Sequence, residues 1–154
     1  MPDLDLDHHW MEQAIELSKK CPPATDAYSV GAILIDPTGN EIARGYSRES
    51  DPRIHAEEAL FSKLDEHRDL AGGTLYSTLE PCSKRSAART PCTELIIELG
   101  IRRVVIAWRE PPLFVTNCIG VELLRGAAVS VVELPELANA AKSVNRHLGL
   151  SLAP

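Results

Sequence analysis

The chain has 154 residues, a formal net charge of −6 and 44% hydrophobic residues. This length predicts one domain spanning residues 1–154, with a core that needs no disulfides. The acidic balance disfavours a protein that binds a nucleic-acid backbone through many phosphates, so we expect no nucleic-acid partner. No apolar run is long enough to cross a bilayer, and the acidic first ten residues lack the basic and apolar regions of a signal peptide. We therefore expect a cytoplasmic protein without membrane contacts.

The hydrophobic pattern alternates between helical and strand periods along the chain. In chain order it predicts a helix over 7–20, a hairpin of strands over 29–36 and 41–47, a helix over 55–68, a strand over 74–79, a helix over 92–100, a strand over 102–108, a helix over 120–126, a strand over 127–134 and a closing helix over 135–150. Asp7 is the candidate N-cap of the first helix, and Gly100 is the expected cap at the end of the third. This order predicts an α/β fold, a three-layer α/β/α sandwich around a five-stranded mixed sheet. We expect the later strands to be parallel and the first two to be antiparallel.

One group of residues indicates chemistry. The stretch HAE supplies His55 and Glu57, and the stretch LEPCSKRSAARTPC supplies Cys82 and Cys92, with nine residues between the two cysteines. One imidazole and two thiolates suit a catalytic Zn²⁺, whose fourth tetrahedral position is left to water. Two sulfur ligands also favour Zn²⁺ over Mg²⁺ or Ca²⁺, which prefer oxygen. The sequence therefore predicts a zinc site with His55, Cys82 and Cys92 as ligands.

Glu57 follows His55 by two residues, an offset that in mid-helix places the two side chains on opposite faces. In the first turn of a helix both side chains can instead lean off the end toward one site. We therefore expect the site to face helix N-termini, where exposed N–H groups and the metal favour the thiolate forms of Cys82 and Cys92. Glu57 is then free to move protons rather than bind metal, and we predict that it is the catalytic acid–base residue.

These motifs resemble those of the cytidine-deaminase superfamily, the zinc-dependent nucleobase and nucleotide deaminases. The long spacing of the cysteines and the stretch LEPCSKRSAARTPC are similar to the pyrimidine deaminases of riboflavin biosynthesis, and the likeness extends over about residues 8–134. The resemblance implies a hydrolytic deaminase that converts a ring amine of a pyrimidine-type nucleobase, nucleoside or nucleotide to a carbonyl and releases ammonia. It also implies one Zn²⁺ per chain, a small-molecule aminopyrimidine substrate and a homodimer or homotetramer.

Two departures from that pattern leave the substrate open. Lys84 stands where the riboflavin-pathway enzymes carry a characteristic histidine. Ala27 stands three residues before the stretch VGA, where much of the superfamily carries an asparagine that contacts substrate. The resemblance implies that the chemistry is kept, whereas the substrate is not fixed by it.

The loop between the two cysteines holds Lys84, Arg85 and Arg89 and no acidic residue. Because it joins two predicted zinc ligands, it lies near the site, and its cations suit a substrate phosphate. We predict Lys84 and Arg89 as substrate-binding residues, with Tyr28 and Trp108 as aromatic contacts. The alternatives are a solvated surface turn for the loop, and a core or subunit contact for Trp108.

Three other functions stay open beside an aminopyrimidine deaminase of the riboflavin type. The same superfamily includes cytidine, deoxycytidylate and guanine deaminases of salvage or specialised metabolism. An editor of tRNA or single-stranded DNA would usually have a broad basic surface and stacking aromatics, which an acidic chain with 5% aromatic residues disfavours. A non-catalytic zinc-binding module is the last alternative, and it would have no need of Glu57.

Overall fold

The computed structural model describes residues 4–65, 69–85, 89–111 and 118–148. The helices are α1 (Leu4–Ser18), α2 (Ala56–Phe61), α3 (Cys92–Glu98), α4 (Gly120–Gly126) and α5 (Ala138–Ser143), with 3-10 helices at Pro135–Leu137 and Arg146–Leu148. The strands are β1 (Gly31–Ile35), β2 (Glu41–Tyr46), β3 (Thr74–Leu79), β4 (Arg103–Trp108) and β5 (Ser130–Glu133). None of the helices within these described ranges has the length and apolarity that crossing a bilayer requires.

The strands form one mixed sheet in the order β2-β1-β3-β4-β5. β1 is antiparallel to both β2 and β3, whereas β3, β4 and β5 run parallel to one another. The predicted five-stranded mixed sheet, with an antiparallel opening hairpin and parallel later strands, is confirmed. Each parallel step is made through a helix, as a parallel crossover requires.

Two glycines show that α1 and α2 lie on opposite faces of the sheet. A Cβ on Gly31 would lie 2.1 Å from the carbonyl oxygen of Ala14 in α1, and a Cβ on Gly45 would lie 2.5 Å from the backbone nitrogen of Leu60 in α2. Gly45 pairs with Ala32, the residue after Gly31, and successive residues of a strand point to opposite faces. Because α3 contacts both α2 and α4, these three helices form one layer. The predicted α/β/α sandwich is therefore confirmed.

The central strands are buried along their whole length. All five residues of β1 and the last five residues of both β3 and β4 are buried. A sheet covered on both faces buries successive residues, which explains why the stretch RRVVIAW is apolar without alternation. The largest fully buried side chains of these strands are those of Ile33, Leu34, Leu75, Val104, Val105 and Ile106.

The prediction that Asp7 caps the first helix was wrong. Helix α1 begins at Leu4, so Asp7 lies within it and is buried. Its carboxylate accepts a hydrogen bond from the Tyr76 hydroxyl at 2.7 Å and two from the Arg103 guanidinium at 2.9 and 2.6 Å. Asp7 thus joins α1 to β3 and β4, a tertiary role that the local pattern does not reveal.

The predicted closing helix over 135–150 is broken into a 3-10 turn, the short helix α5 and a second 3-10 turn, and its last two positions lie outside the described residues. Asn145 lies between the last two of these elements and is buried. Its side-chain oxygen accepts the backbone N–H of Ser29 at 2.6 Å, and its amide donates to the Ser29 carbonyl at 3.1 Å. These two hydrogen bonds join the end of α5 to the segment that leads into β1.

The predicted second helix, over 55–68, is shorter in the structure. Helix α2 ends at Phe61, and residues 66–68 lie outside the described part of the chain. Gly100 has a φ of 77° immediately after the C-cap Leu99 of α3, so it ends that helix as predicted.

Candidate active site

The three predicted metal ligands meet at the ends of three segments. His55 is the N-cap of α2, Cys92 is the first residue of α3, and Cys82 lies in the loop that follows β3. Their ligand atoms all lie within 4.8 Å of one another. His55 and Cys92 therefore stand at helix N-termini, where the sequence places the site.

The spacing of these atoms fits a zinc ion. The Nδ1 atom of His55 is 3.6 Å from Sγ of Cys82 and 3.5 Å from Sγ of Cys92. A Zn–S bond of about 2.3 Å and a Zn–N bond of about 2.0 Å at a tetrahedral angle place nitrogen and sulfur about 3.5 Å apart. Both nitrogen–sulfur separations therefore fit a tetrahedral Zn²⁺, and a three-ligand set leaves one coordination position for a non-protein ligand.

The electrostatics of the two thiols also suit a cation. A hydrogen bond from the Cys92 thiol lowers the pKa of Cys82 to about 5, although burial acts in the opposite direction. The backbone N–H of Cys92 also donates to Sγ of Cys82, at 3.2 Å. The same thiol contact, together with burial, raises the pKa of Cys92. One thiolate forms readily and the second does not, so a metal cation is the species that would stabilise both.

The imidazole of His55 is influenced mainly by its burial and by Cys82. Burial alone would lower its pKa, but the hydrogen bond and the charge of Cys82 outweigh it and raise the pKa. The contact with Cys82 therefore favours the protonated form of the His55 imidazole.

Glu57 is the second residue of α2 and is buried, with 4% of its surface exposed. Burial raises the pKa of its carboxyl to about 7, and the neighbouring His55 offsets part of this increase. A carboxyl whose pKa lies near the working pH can both accept and return a proton. Glu57 therefore has the environment of a proton-transfer group beside the metal ligands.

A cavity of about 530 Å³ opens beside this group. His55, Glu57 and Cys82 line it, whereas Cys92 is fully buried and is not part of its wall. This volume falls within the range that small-molecule sites in proteins occupy. The cavity can therefore place a nucleotide-sized molecule against the predicted zinc site and Glu57.

Of the four predicted substrate-binding residues, Tyr28, Lys84 and Arg89 line the cavity and Trp108 does not. Trp108 is buried and packs edge-to-face on Tyr28, with ring centres 5.7 Å apart. The Nζ atom of Lys142 lies 5.6 Å from the centre of the Trp108 ring. Trp108 thus supports the Tyr28 ring instead of forming the cavity wall itself.

The basic loop between Cys82 and Cys92 contacts helix α2. The Arg85 guanidinium donates to the Glu58 carboxylate, and its side chain is only 7% exposed. Arg89 donates to Asp51 at 3.3 Å. Lys84 makes no ion pair with a described residue. Two of the three cations of the loop are therefore held by acidic side chains, and the solvated-turn alternative does not describe Arg85.

The structure adds Glu110, a cavity residue that the sequence reasoning missed. Burial raises the pKa of its carboxyl to about 7, and its Oε2 atom is buried without a hydrogen-bond partner among the described residues. Glu80 accepts the backbone N–H groups of Glu110 at 3.0 Å and of Val121 at 2.9 Å, which fixes the loop that carries Glu110. The predicted topology could have indicated Glu110. It follows β4, and the carboxyl ends of neighbouring parallel strands lie at one edge of the sheet, where ligands bind.

Arg48 is a second residue that the sequence reasoning missed. It lines the cavity and has a φ of 60°, a left-handed conformation that is uncommon for a residue other than glycine. Its guanidinium donates to the carbonyl oxygens of Tyr28 at 3.0 Å and of Pro22 at 2.7 Å, and to the hydroxyl of Ser29 at 2.9 Å. Arg48 therefore fixes the segment that carries the Tyr28 wall, and no local pattern in the stretch GYSRES indicates this.

Two proteins with similar sequences are named as deaminases. A diaminohydroxyphosphoribosylamino-pyrimidine deaminase from Schizosaccharomyces pombe is 39% identical over 127 residues, which are 80% of this chain and 31% of that protein. A tRNA-specific adenosine deaminase from Haemophilus influenzae is 35% identical over 122 residues, 75% of this chain and 64% of that protein. The chain spans about a third of the length of the riboflavin-pathway relatives that it matches.

A solved structure shows the same fold. The crystal structure of a diaminohydroxyphosphoribosylaminopyrimidine deaminase/5-amino-6-(5-phosphoribosylamino)uracil reductase from Thermotoga maritima superposes with a TM-score of 0.78 at 36% identity, covering 91% of this chain and 39% of that chain. Residues 4–108 match the family described as the cytidine and deoxycytidylate deaminase zinc-binding region. The match covers His55, Cys82 and Cys92, whose donor atoms fit Zn²⁺, the cofactor of that family. This chain belongs to the zinc-binding cytidine and deoxycytidylate deaminase family.

Proposed function

We propose that this chain is a zinc-dependent hydrolytic deaminase of an aminopyrimidine nucleotide, such as the diaminopyrimidine nucleotide for which the S. pombe and T. maritima relatives are named. The observation that carries the proposal is the buried Glu57 carboxyl beside the group of His55, Cys82 and Cys92, at the wall of a cavity. A purely structural zinc site would normally use four protein ligands and would gain nothing from this carboxyl.

The reaction adds one water molecule and releases one ammonia molecule. A C–O bond forms at the ring carbon that bears the amine, and the C–N bond to that amine then breaks. His55, Cys82 and Cys92 would hold the Zn²⁺, and when bound it would supply a water activated for attack near neutral pH. The carboxylate of Glu57 accepts a proton as the C–O bond forms, and it returns protons to the ring nitrogen and to the departing amine. The two protons of the water thus end on the ring and on ammonia, with no change in oxidation state.

The cations at the cavity support a phosphorylated substrate. Lys84, Arg53 and Arg89 line the cavity, and the first two make no ion pair with a described residue. Charge-assisted hydrogen bonds to phosphate are stronger than neutral ones, so these groups favour a nucleotide over its nucleoside. We expect Lys84→Ala and Arg89→Ala to reduce this preference, measured as the ratio of kcat/KM for the two compounds. An equal preference in wild type and variants would remove these residues from the phosphate site.

A second candidate is a deaminase of cytidine, deoxycytidylate or guanine. Ala27, which lines the cavity, presents a methyl group at the position where much of the superfamily has an asparagine. A methyl group cannot donate or accept a hydrogen bond, so the base must be recognised by other groups or must be a different base. This observation keeps the second candidate open.

Ammonia release across a panel of amines tests both candidates. The panel contains the diaminopyrimidine nucleotide, its nucleoside, dCMP, cytidine and guanine, each with zinc-loaded protein. We expect the highest kcat/KM for the diaminopyrimidine nucleotide. A higher value for dCMP, cytidine or guanine selects the second candidate, and no release from any member favours a non-catalytic zinc protein.

We also propose that the chain forms a homodimer or homotetramer. Ile97, Leu99, Ile119 and Leu123 are 38–43% exposed and lie in or next to α3 and α4, two helices that contact each other. Grouped apolar side chains on a surface mark contacts between proteins. Light scattering after gel filtration should give a dimer or tetramer mass that falls in Leu123→Glu. A monomer mass for the wild type would refute this assembly.

A further inference from the structure

Glu58, the residue after Glu57, joins the helix that carries His55 to the loop between the two cysteines. Its Oε1 atom accepts the backbone N–H of His55 at 2.9 Å and also accepts a hydrogen bond from the Arg85 guanidinium. Its Oε2 atom lies 3.6 Å from Nη1 of Arg89. One carboxylate therefore contacts a metal-ligand backbone and two cations of the loop.

Further contacts join the same two segments. Arg85 donates to the carbonyl oxygen of Arg53 at 2.8 Å, and Arg89 donates to Asp51 at 3.3 Å. Residues 51–58 contain His55, and the loop over 83–91 connects Cys82 to Cys92. Arg85 and Arg89 thus make four contacts between the segment that carries His55 and the loop between the two cysteines.

Helix capping alone does not account for this arrangement. A neutral glutamine oxygen could accept the His55 N–H equally well, since a capping box uses either Glu or Gln at this position. Two guanidinium groups, in contrast, need a negative partner, and the Arg85 side chain is 7% exposed and that of Glu58 19% exposed. Removing one member of a pair that is shielded from water leaves the other charge uncompensated. The negative charge of Glu58 therefore serves to bind Arg85 and Arg89 of the loop.

We propose that Glu58 is a positioning residue that sets the separation between His55 and the Cys82–Cys92 pair by holding the loop through Arg85 and Arg89. This inference rests on the proposed zinc deaminase function, because it concerns how that zinc site is assembled. Groups that orient the ligands of a metal determine its affinity as well as the activity that depends on it. It also gives the basic loop a role other than contact with substrate.

Zinc release to a chromogenic chelator tests the proposal in Glu58→Gln, in Arg85→Ala and in the double variant. Glu58→Gln keeps an oxygen for the His55 N–H and loses only the charge. We expect each single variant to bind zinc roughly 10–100-fold more weakly than wild type. The double variant should bind zinc no more weakly than the weaker-binding single variant, since both substitutions remove the same Glu58–Arg85 contact. The matched control is Arg44→Ala, which removes an exposed pair with Glu41 on β2 and should leave zinc affinity unchanged.

The outcomes separate positioning from simple stabilisation. Wild-type zinc affinity in Glu58→Gln and Arg85→Ala, with only a lower melting temperature, would overturn the proposal. Losses that multiply in the double variant would also overturn it, because they would show independent effects. Arg85→Ala tests the contact from the loop side if Glu58→Gln does not fold. Zinc affinity is measured without substrate, so this test does not depend on turnover. A wild type that releases no ammonia would refute the proposed function, and the effect of Glu58 on zinc affinity could still be determined.

Discussion

Glu57 and Glu58 are neighbours in the chain with opposite electrostatic environments. Burial raises the pKa of Glu57 to about 7, with only partial compensation from His55. Burial also acts to raise the pKa of Glu58, but hydrogen bonds from the His55 backbone and from Arg85 outweigh it and lower the pKa. These environments suit the different roles that we propose, proton transfer for Glu57 and a fixed negative charge for Glu58.

The first prediction concerns Glu57→Gln. The amide keeps the shape of the carboxyl but cannot carry a proton between the water and the substrate, so turnover should fall roughly 10²–10⁴-fold. Zinc content should stay at the wild-type level, because Glu57 is not one of the three ligands. Ammonia release and elemental analysis measure the two quantities. Glu94→Gln, at an exposed first-turn position of α3, is the matched control and should keep full turnover. Unchanged turnover in Glu57→Gln would remove it from the mechanism.

The second prediction concerns the thiol ligands. Cys82→Ser and Cys92→Ser replace a thiolate with a hydroxyl that stays neutral near pH 7, so both should lose zinc. Elemental analysis of dialysed protein measures the loss. Cys21→Ser is the control, because Cys21 lies outside the metal-binding group and should leave zinc content unchanged. Full zinc occupancy in either ligand variant would show that its thiol does not bind the metal.

At the scale of elements, close contact between α1 and β1 is made possible by a single glycine. A Cβ at Gly31 would lie 2.1 Å from the Ala14 carbonyl oxygen and 3.0 Å from the Ser18 nitrogen, both of them backbone atoms that cannot rotate away. Helix α1 must shift away from the sheet to accept any side chain there. The position is therefore restricted to glycine by packing and not by its φ angle.

The third prediction is that Gly31→Ala lowers the free energy of unfolding by about 1–3 kcal/mol or more, the usual cost of overpacking a core. Urea denaturation measures it. Gly126→Ala is the matched control, because a Cβ at that position would meet no atom within 4 Å from the described residues outside its own helix turn. That variant should be neutral or slightly stabilising, since alanine loses less backbone entropy than glycine on folding. Equal stabilities of the two variants would contradict the close packing of α1.

The pattern of elements and the grouping of the three candidate ligands could be predicted from the sequence, because short motifs indicate both. The continuous apolar run RRVVIAW indicates a strand buried on both faces, and His55, Cys82 and Cys92 stand in short motifs of known spacing. Contacts between distant residues could not be predicted. Aspartate is a common N-cap residue, but Asp7 lies inside α1. Its hydrogen-bond partners are 69 and 96 residues away in the chain. Likewise, the partners of the basic loop lie on another element, so its sequence alone suggests free cations.

At the scale of the whole molecule, Asp7 makes stability depend on pH. Burial acts to raise the pKa of Asp7, but hydrogen bonds from Arg103 and Tyr76 outweigh it, so the net pKa is lowered. A carboxyl with a lowered pKa in the folded state adds stability above its unfolded pKa, and this is lost as the pH falls through the folded pKa. The contribution of Asp7 is therefore full at neutral pH and small in acid.

The fourth prediction is that Asp7→Asn lowers the free energy of unfolding by about 2–4 kcal/mol at pH 7, because it leaves Arg103 without its charged partner. The difference from wild type should shrink below about pH 4, where the unfolded carboxyl is protonated. Urea denaturation of both proteins at each pH measures the difference and cancels effects of acid on the zinc site. Glu136→Gln, which removes an exposed contact with His8, is the control. A difference that does not vary with pH would show that charge is not the cause.

The last prediction follows from the charge of the whole chain and concerns nucleic acid. The net charge is −6, and Arg85 and Arg89 of the basic loop are already paired with Glu58 and Asp51. A protein that neutralises 6–10 phosphates loses about 10³–10⁵ in affinity between 50 and 200 mM salt. We expect turnover of the small-molecule substrate to change far less than this over the same range, and tRNA incubated with the protein to contain no new inosine. Inosine formation, or a salt dependence as steep as that of a polynucleotide binder, would instead align the chain in function with its tRNA-specific relative.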